Sequence, residues 1–252
     1  MFKKLLFITA LAVTVVSCQF TETMVLNEDG SGKMSVEVDL GEMMAMASQM
    51  GTDSISGDNP LEKRTDTIIA FKDILEEKKD SIATLPPAEQ RRLKAMENYK
   101  MQMISDPENG EMLVSVFVDF KNVAEANDLM AGLGQADGVM PKPDGSSAGG
   151  NTKKEPDFLG VKYSYADGIF KRDGFIKDKQ AQQQQLDSMQ SMMAFMGEMK
   201  YRLKYTFPRR IKSASVQDAM LSMDGKTIEV ERKFSDYFKD PDVLDLEVEL
   251  EN

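Results

Sequence analysis

The chain of 252 residues carries 31 Lys and Arg against 42 Asp and Glu, with no His, no Trp and one Cys. Without histidine there is no Ser-His-Asp triad, no Cys-His pair and no imidazole metal ligand, and one cysteine allows neither an intramolecular disulfide nor a CxxC site. The net charge of −11 argues against a nucleic-acid binder, whose footprint is basic.

In chain order, Lys3 and Lys4 precede an apolar stretch over residues 5–16. As a helix it reaches about 18 Å, short of a bilayer core of roughly 30 Å, so it predicts the h-region of a secretory leader and not a membrane span. The stretch closes on Val15, Val16, Ser17 and Cys18, which resembles the lipobox of bacterial lipoproteins. The resemblance implies a signal peptide over 1–17, cleavage before Cys18, and diacylglycerol and palmitate-type acyl chains on that cysteine. Removal of the leader takes two lysines with it and moves the charge from −11 to −13. So acidic a body is a poor partner for anionic headgroups, and the acyl chains, at about 0.8 kcal/mol per buried CH₂, must hold it on the membrane. Gln19 stands where that class uses Asp for inner-membrane retention, which implies the outer membrane and the periplasm, with surface display left open.

From residue 20 onward, Asp-Gly and Asn-Gly pairs separate alternating segments. Residues 20–26 and 33–39 flank Asp29-Gly30; Met34, Val36 and Val38 share one face, and Lys33, Ser35, Glu37 and Asp39 the other. This predicts a hairpin in a sheet with one wet side. Residues 40–50 predict a short Met-rich helix and 51–59 a polar loop. The spacing of Ile68, Phe71, Leu75 and Ile82 predicts a helix over 67–83. Pro86-Pro87 stops it and opens a second over 88–99, carrying Leu93, Met96 and Tyr99. Residues 101–104 and 111–119 form a second hairpin about Asn109-Gly110, followed by a helix over 122–133 that Gly134 ends. Residues 134–157 have almost no aliphatic side chains to offset ordering entropy and predict a flexible insertion. A third hairpin, 161–165 with 169–172 about Asp167-Gly168, leads into the longest helix, 179–198. Strand 201–207, a hairpin of 219–223 with 226–232 about Asp224-Gly225, and strand 243–250 complete the chain. The elements predict an α+β fold, with antiparallel β-hairpins forming a sheet and helices packed on one face, as a single envelope domain over 18–252.

Candidate ligand contacts come from methionine, of which there are 20. Met43, Met46 and Met50 fall at i, i+3 and i+7; Met189, Met192, Met193, Met196 and Met199 form a second stripe. Such stripes fill irregular core gaps, or offer a pliant apolar surface to lipid or a partner helix. Cu(I) also accepts thioethers, but no histidine supports it here. Residues 27–31 lack the spacing of a calcium loop and read as turn chemistry. Asp236, Asp240, Asp242 and Asp245 surround Pro241, where a short helix and a turn account for them. Arg209, Arg210 and Lys212 form a basic spot, either a solvated strand end or a contact for lipid phosphate. No residue is marked as catalytic, and no metal or cofactor is expected.

The lipobox, the hairpin over 24–38 with its Asp29-Gly30-Ser31-Gly32 turn, the strand ending in Phe207-Pro208 and the later Asp224-Gly225 hairpin together resemble the LppM-like lipoprotein domain. The helical stretches 41–100 and 175–199 fall outside this resemblance. It implies envelope lipid or glycolipid binding without a catalytic set. The expectation is therefore a non-enzymatic, membrane-anchored envelope module that binds lipid or another amphipathic ligand. Lipidation falls on Cys18, and the ligand contacts are drawn from Met43, Met46, Met50, Met192 and Met196. The alternative is a structural or assembly accessory subunit docked on another envelope protein. The partners expected are the membrane, through the lipid anchor, and a lipid ligand or an envelope protein, with no nucleic acid.

Overall fold

The computed structural model describes residues 19–41, 64–128, 158–188 and 199–252. Twelve strands lie in them: β1 (Gln19–Leu26), β2 (Gly32–Asp39), β3 (Thr65–Ala70), β4 (Lys100–Asp106), β5 (Glu111–Phe120), β6 (Leu159–Ala166), β7 (Ile169–Ile176), β8 (Lys200–Thr206), β9 (Ile211–Ala214), β10 (Met220–Leu221), β11 (Thr227–Lys233) and β12 (Leu246–Leu250). The helices described are α1 (Phe71–Glu77), α2 (Lys79–Ala83), α3 (Pro87–Ala95), α4 (Lys179–Ser188) and α5 (Phe234–Lys239), with 3₁₀ turns at Val123–Asp128 and Pro241–Leu244. The fold is α+β.

The four expected hairpins form: β1–β2, β4–β5, β6–β7 and β10–β11 each pair antiparallel. Gly30, Gly110, Gly168 and Gly225 sit at their turns with φ of +80°, +66°, +75° and +69°. Asp167 joins Gly168 at positive φ, as a turn matched to strand twist requires. The hairpins do not make one antiparallel sheet, however. They divide between an eight-stranded sheet, ordered β10-β11-β8-β1-β2-β5-β4-β3, and a four-stranded sheet, ordered β6-β7-β12-β9. Within the larger sheet β1 and β8 run parallel, Phe20 opposite Tyr201 and Met24 opposite Tyr205. A local turn signal cannot report either event, because both depend on strands far apart in sequence. Pro208 marks one crossing point. It follows β8 and has no N–H to continue the ladder, and the next strand, β9, joins the smaller sheet beside β12.

The helix expected over 67–83 begins later. Thr67, Ile68 and Ile69 are β-branched, favour extended backbone, and belong to edge strand β3, paired with β4. Helix starts only at Phe71. Of the helix expected over 122–133, the described part is the 3₁₀ turn, where the Asn122 side-chain oxygen accepts from the Ala124 N–H at 2.9 Å. The described part of the 179–198 helix is α4. The Met-rich helix beyond Gly41, the polar loop over 51–59 and the insertion over 134–157 lie outside the described residues.

Alternation sends Glu22, Met24 and Leu26 of β1, Met34 and Val36 of β2 and Tyr201, Leu203 and Tyr205 of β8 to one buried face. Phe170, Leu246 and Val248 of the smaller sheet are buried in the same core. The Phe170 ring meets Tyr205 and Phe207 edge-on at 5.4 and 5.3 Å. The outer face is wet, as expected. Lys200 and Arg202 pair with Glu231, Lys204 pairs with Glu229, and Ser115 donates to Glu37.

Strand polarity gives the larger sheet two distinct ends. One collects the start of β1, the ends of β2 and β11, and the start of β8; the other holds the 27–31 and 222–226 turns. In the smaller sheet, β7 passes close to the 3₁₀ turn before β12. A Cβ added at Gly174 would lie 2.8 Å from the Pro241 carbonyl oxygen. Gly174→Ala should therefore cost about 2 kcal/mol through overpacking and lower Tm by about 4–8 °C, read by thermal denaturation.

Candidate functional site

Of the residues expected to carry function, Cys18, Met43, Met46, Met50, Met192 and Met196 all lie outside the described residues. Met199, the last of the second stripe, is half-buried and packs against the core. Arg209 pairs with Glu28 at 3.3 Å and donates to the Glu251 carbonyl at 2.8 Å, and Lys212 pairs with Glu249 at 2.6 Å. This is strand-end chemistry. In the 27–31 turn Asp29 accepts from the Ser31 N–H and hydroxyl, again a closed turn. Asp240 accepts from the Asp242 N–H at the 3₁₀ start, and Asp245 accepts from the Gly174 N–H at 2.7 Å. Among the described residues no group of three or more Cys, Asp or Glu is placed to hold a metal ion.

Two other features stand out. The first is a buried charge. Glu22 points into the core from β1 with no exposed surface. It accepts from the Tyr163 and Tyr201 hydroxyls at 2.6 Å each and from the Tyr205 hydroxyl. Arg172 of β7, equally buried, donates Nε and Nη2 to the two carboxylate oxygens at 3.3 Å each. Its Nη1 donates to the Leu244 carbonyl at 3.1 Å, and its guanidinium lies 5.8 Å from the Tyr237 ring centre. Burial alone would push the Glu22 carboxyl up. The Arg172 charge and the hydrogen bonds from Arg172, Tyr163 and Tyr201 outweigh it and hold the carboxyl below its usual range. Burial, then the Glu22 charge, pushes Tyr163, Tyr201 and Tyr205 well above the usual phenol range. Both oxygens of the carboxylate are thus filled from inside the protein, and the Glu22 and Arg172 side chains have no exposed surface. The cluster is structural.

Sequence carried a signal for this cluster. Glu22 has the parity of Met24 and Leu26, and Arg172 that of Phe170, so each charge falls on an inward position of its strand.

The second feature is a groove of about 750 Å³ among α1, α2 and α3, within the range of small-ligand sites. Phe71 and Ile74 bury one side of α1, where the Phe71 ring meets Tyr99 edge-on at 6.5 Å. This leaves Leu75 facing the groove. Pro87 opens α3 at a first-turn position where a missing N–H costs nothing. Gln90 then fixes the turn before it, donating to the Leu85 and Ala83 carbonyls at 2.8 and 3.2 Å. Leu75, Ile82, Ala83, Pro87 and Leu93 supply apolar lining. Lys72, Lys79, Arg91 and Lys94 stand against Glu76 and Glu97 on the lining, an excess of two positive charges on a strongly acidic chain. Sequence placed Leu75 and Ile82 together on one helix face. The break between α1 and α2 turns that face into one wall of a groove.

No family model matches the chain, and no curated protein matches it. Among solved structures, the chain is similar to the NMR structure of the folded domain of LppM from Mycobacterium tuberculosis. The TM-score is 0.40 at 7% identity, over 93% of this chain and 89% of that one. A likeness this loose carries no argument about ligand or mechanism. Among the described residues no helix is long and apolar enough to cross a membrane.

Removing the carboxylate charge strands a buried guanidinium. Glu22→Gln should destabilise the protein by about 3–5 kcal/mol, and adding Arg172→Met should recover part of that loss, read by urea unfolding of the two single variants and the double. The pH dependence follows from the same shifts. The lowered Glu22 contributes stability that is whole above its ordinary 4.5 and lost as pH falls through the folded value. The raised tyrosines contribute stability that is whole below 10.0 and lost as pH climbs above it. Tm should be level between these limits and fall on both sides, with a weaker acid limb in the double variant.

Proposed function

We propose that the protein is a non-enzymatic module of the bacterial envelope, held on the outer membrane through acyl chains on Cys18 and facing the periplasm. In this reading the groove among α1, α2 and α3 takes one acyl chain of an anionic amphiphile. The observation that carries it is the pairing of an apolar lining with a cationic excess in one groove. An acyl chain covers Leu75, Ile82 and Leu93, while Lys79, Arg91 and Lys94 meet a phosphate or carboxylate head. The contacts thus fall on aliphatic residues of the helical connection between β3 and β4. The filled oxygens around Glu22 support a binding role over a catalytic one, since this fully buried carboxylate is committed to the core.

A photoactivatable phosphatidylglycerol analogue, presented in vesicles bearing the full lipidated chain, tests the reading. Adducts are expected within residues 72–97 and should fall several-fold in Leu75→Glu/Leu93→Glu. Adducts absent from that stretch, or undiminished in the double variant, would overturn it.

A further inference from the structure

The lipid anchor of the proposed function and the fold meet with no linker between them. Whatever its conformation, the α-carbon of Cys18 is about 3.8 Å from that of Gln19, and Gln19 is already the first residue of β1. β1 is an interior strand, bonded to β2 on one side and to β8 on the other. Phe20 packs on the rings of Tyr201 and Phe234 at 5.7 and 5.0 Å, and Glu22 is locked into the buried cluster two residues later. The strand cannot peel away to lengthen a tether without breaking these contacts.

We infer that the end of the eight-stranded sheet where β1 begins is a membrane-contact surface, seated on the phospholipid headgroups of the bilayer that holds the anchor; this rests on the reading of Cys18 as lipidated. Register identifies the residues that share this end. Gln19 lies opposite Lys200, and Lys200 opposite Lys233. The Phe234 N–H donates to the Met199 carbonyl, which ties the start of β8 to the end of β11. Lys200 and Lys233 are exposed, and together with Arg202 they set three cations against the one carboxylate of Glu231. On the other flank, Asp39 accepts from the Gly41 N–H at 2.9 Å and keeps its negative charge. The β8–β11 flank of this end is therefore cationic and suits lipid phosphate, whereas the β2–β5–β4 flank carries Asp39, Asp106, Glu108 and Glu111 and lacks that charge match. Gly41, Arg64 and Met199 also belong to this end. The contact surface itself needs only Gln19, Phe20, Met199, Lys200 and Lys233.

Cys18 is the sole cysteine and is blocked once lipidated, so an introduced cysteine can be labelled uniquely. The test uses the full lipidated chain in vesicles of phosphatidylethanolamine and phosphatidylglycerol containing lipids with a nitroxide on the headgroup. A fluorophore is placed at Lys233→Cys, at Lys200→Cys as an independent second position, or at Met223→Cys, which is fully exposed at the opposite end of the sheet. Quenching at 233 and 200 should exceed that at 223 several-fold. Equal quenching at both ends, or stronger quenching at 223, overturns the contact surface even where labelled palmitate shows the anchor to be present. Absence of palmitate from the wild-type chain overturns the anchor itself, and the contact surface with it.

Discussion

A carboxylate sealed from water is tolerable only when its charge is matched and its oxygens are filled, and Glu22 meets both conditions by drawing on three other strands. Its partners stand 141 to 183 residues further along the chain. Tyr201 and Tyr205 come from its own sheet, while Tyr163 and Arg172 come from the other. Apolar packing alone would let two sheets slide over each other at modest cost. A guanidinium bonded to both oxygens of one carboxylate and to the Leu244 carbonyl has a single satisfactory position. The β1–β8 register, the seating of the smaller sheet and the course of the 3₁₀ turn before β12 all follow from that position.

The same fixity governs how the proposed activities are arranged. β3 starts at Thr65, beside the sheet end from which β1 departs, and runs to Ala70, where the helical connection begins. Six residues of strand span about 20 Å. Register sets Ala70 level with Lys100, Phe117, Ser35 and Thr23, so the helical connection leaves the sheet four residues along from Gln19. In the proposed arrangement, the membrane contact and the ligand groove fall on different parts of one sheet, joined through β3 and β4.

Much of this was legible in the residues. The hairpins followed from Asp-Gly and Asn-Gly between alternating arms, because positive φ at the turn and period two in the arms are local properties. The α+β class followed with them. The parallel β1–β8 pair was not legible, since neither turn nor spacing links Phe20 to Tyr201. The extended conformation at Thr67–Ile69 was masked by helical spacing, which Ile68, Phe71 and Leu75 satisfy by coincidence; the β-branched run was the better guide. The candidate site was less legible still. The methionine stripes drew attention by abundance, whereas the groove is lined by ordinary leucine and isoleucine side chains that became a cleft only because the chain breaks between Glu77 and Lys79. Glu22 and Arg172 were readable as inward-facing charges, but pairing them needed the tertiary structure.

The order of strands also bears on how such a chain is made. The first strand finds its neighbour β8 only near the last fifth of the sequence, and the smaller sheet is incomplete until β12 at the C-terminus. Folding that waits on such distant pairings is slow, because loop closure must be met before the contacts that reward it form. Strands β1 to β5 can pair early, but the core around Glu22 stays open until β6, β7 and β8 have been made. The buried ion pair is thus among the last contacts of the core to form, although its carboxylate is made among the first residues of the described fold.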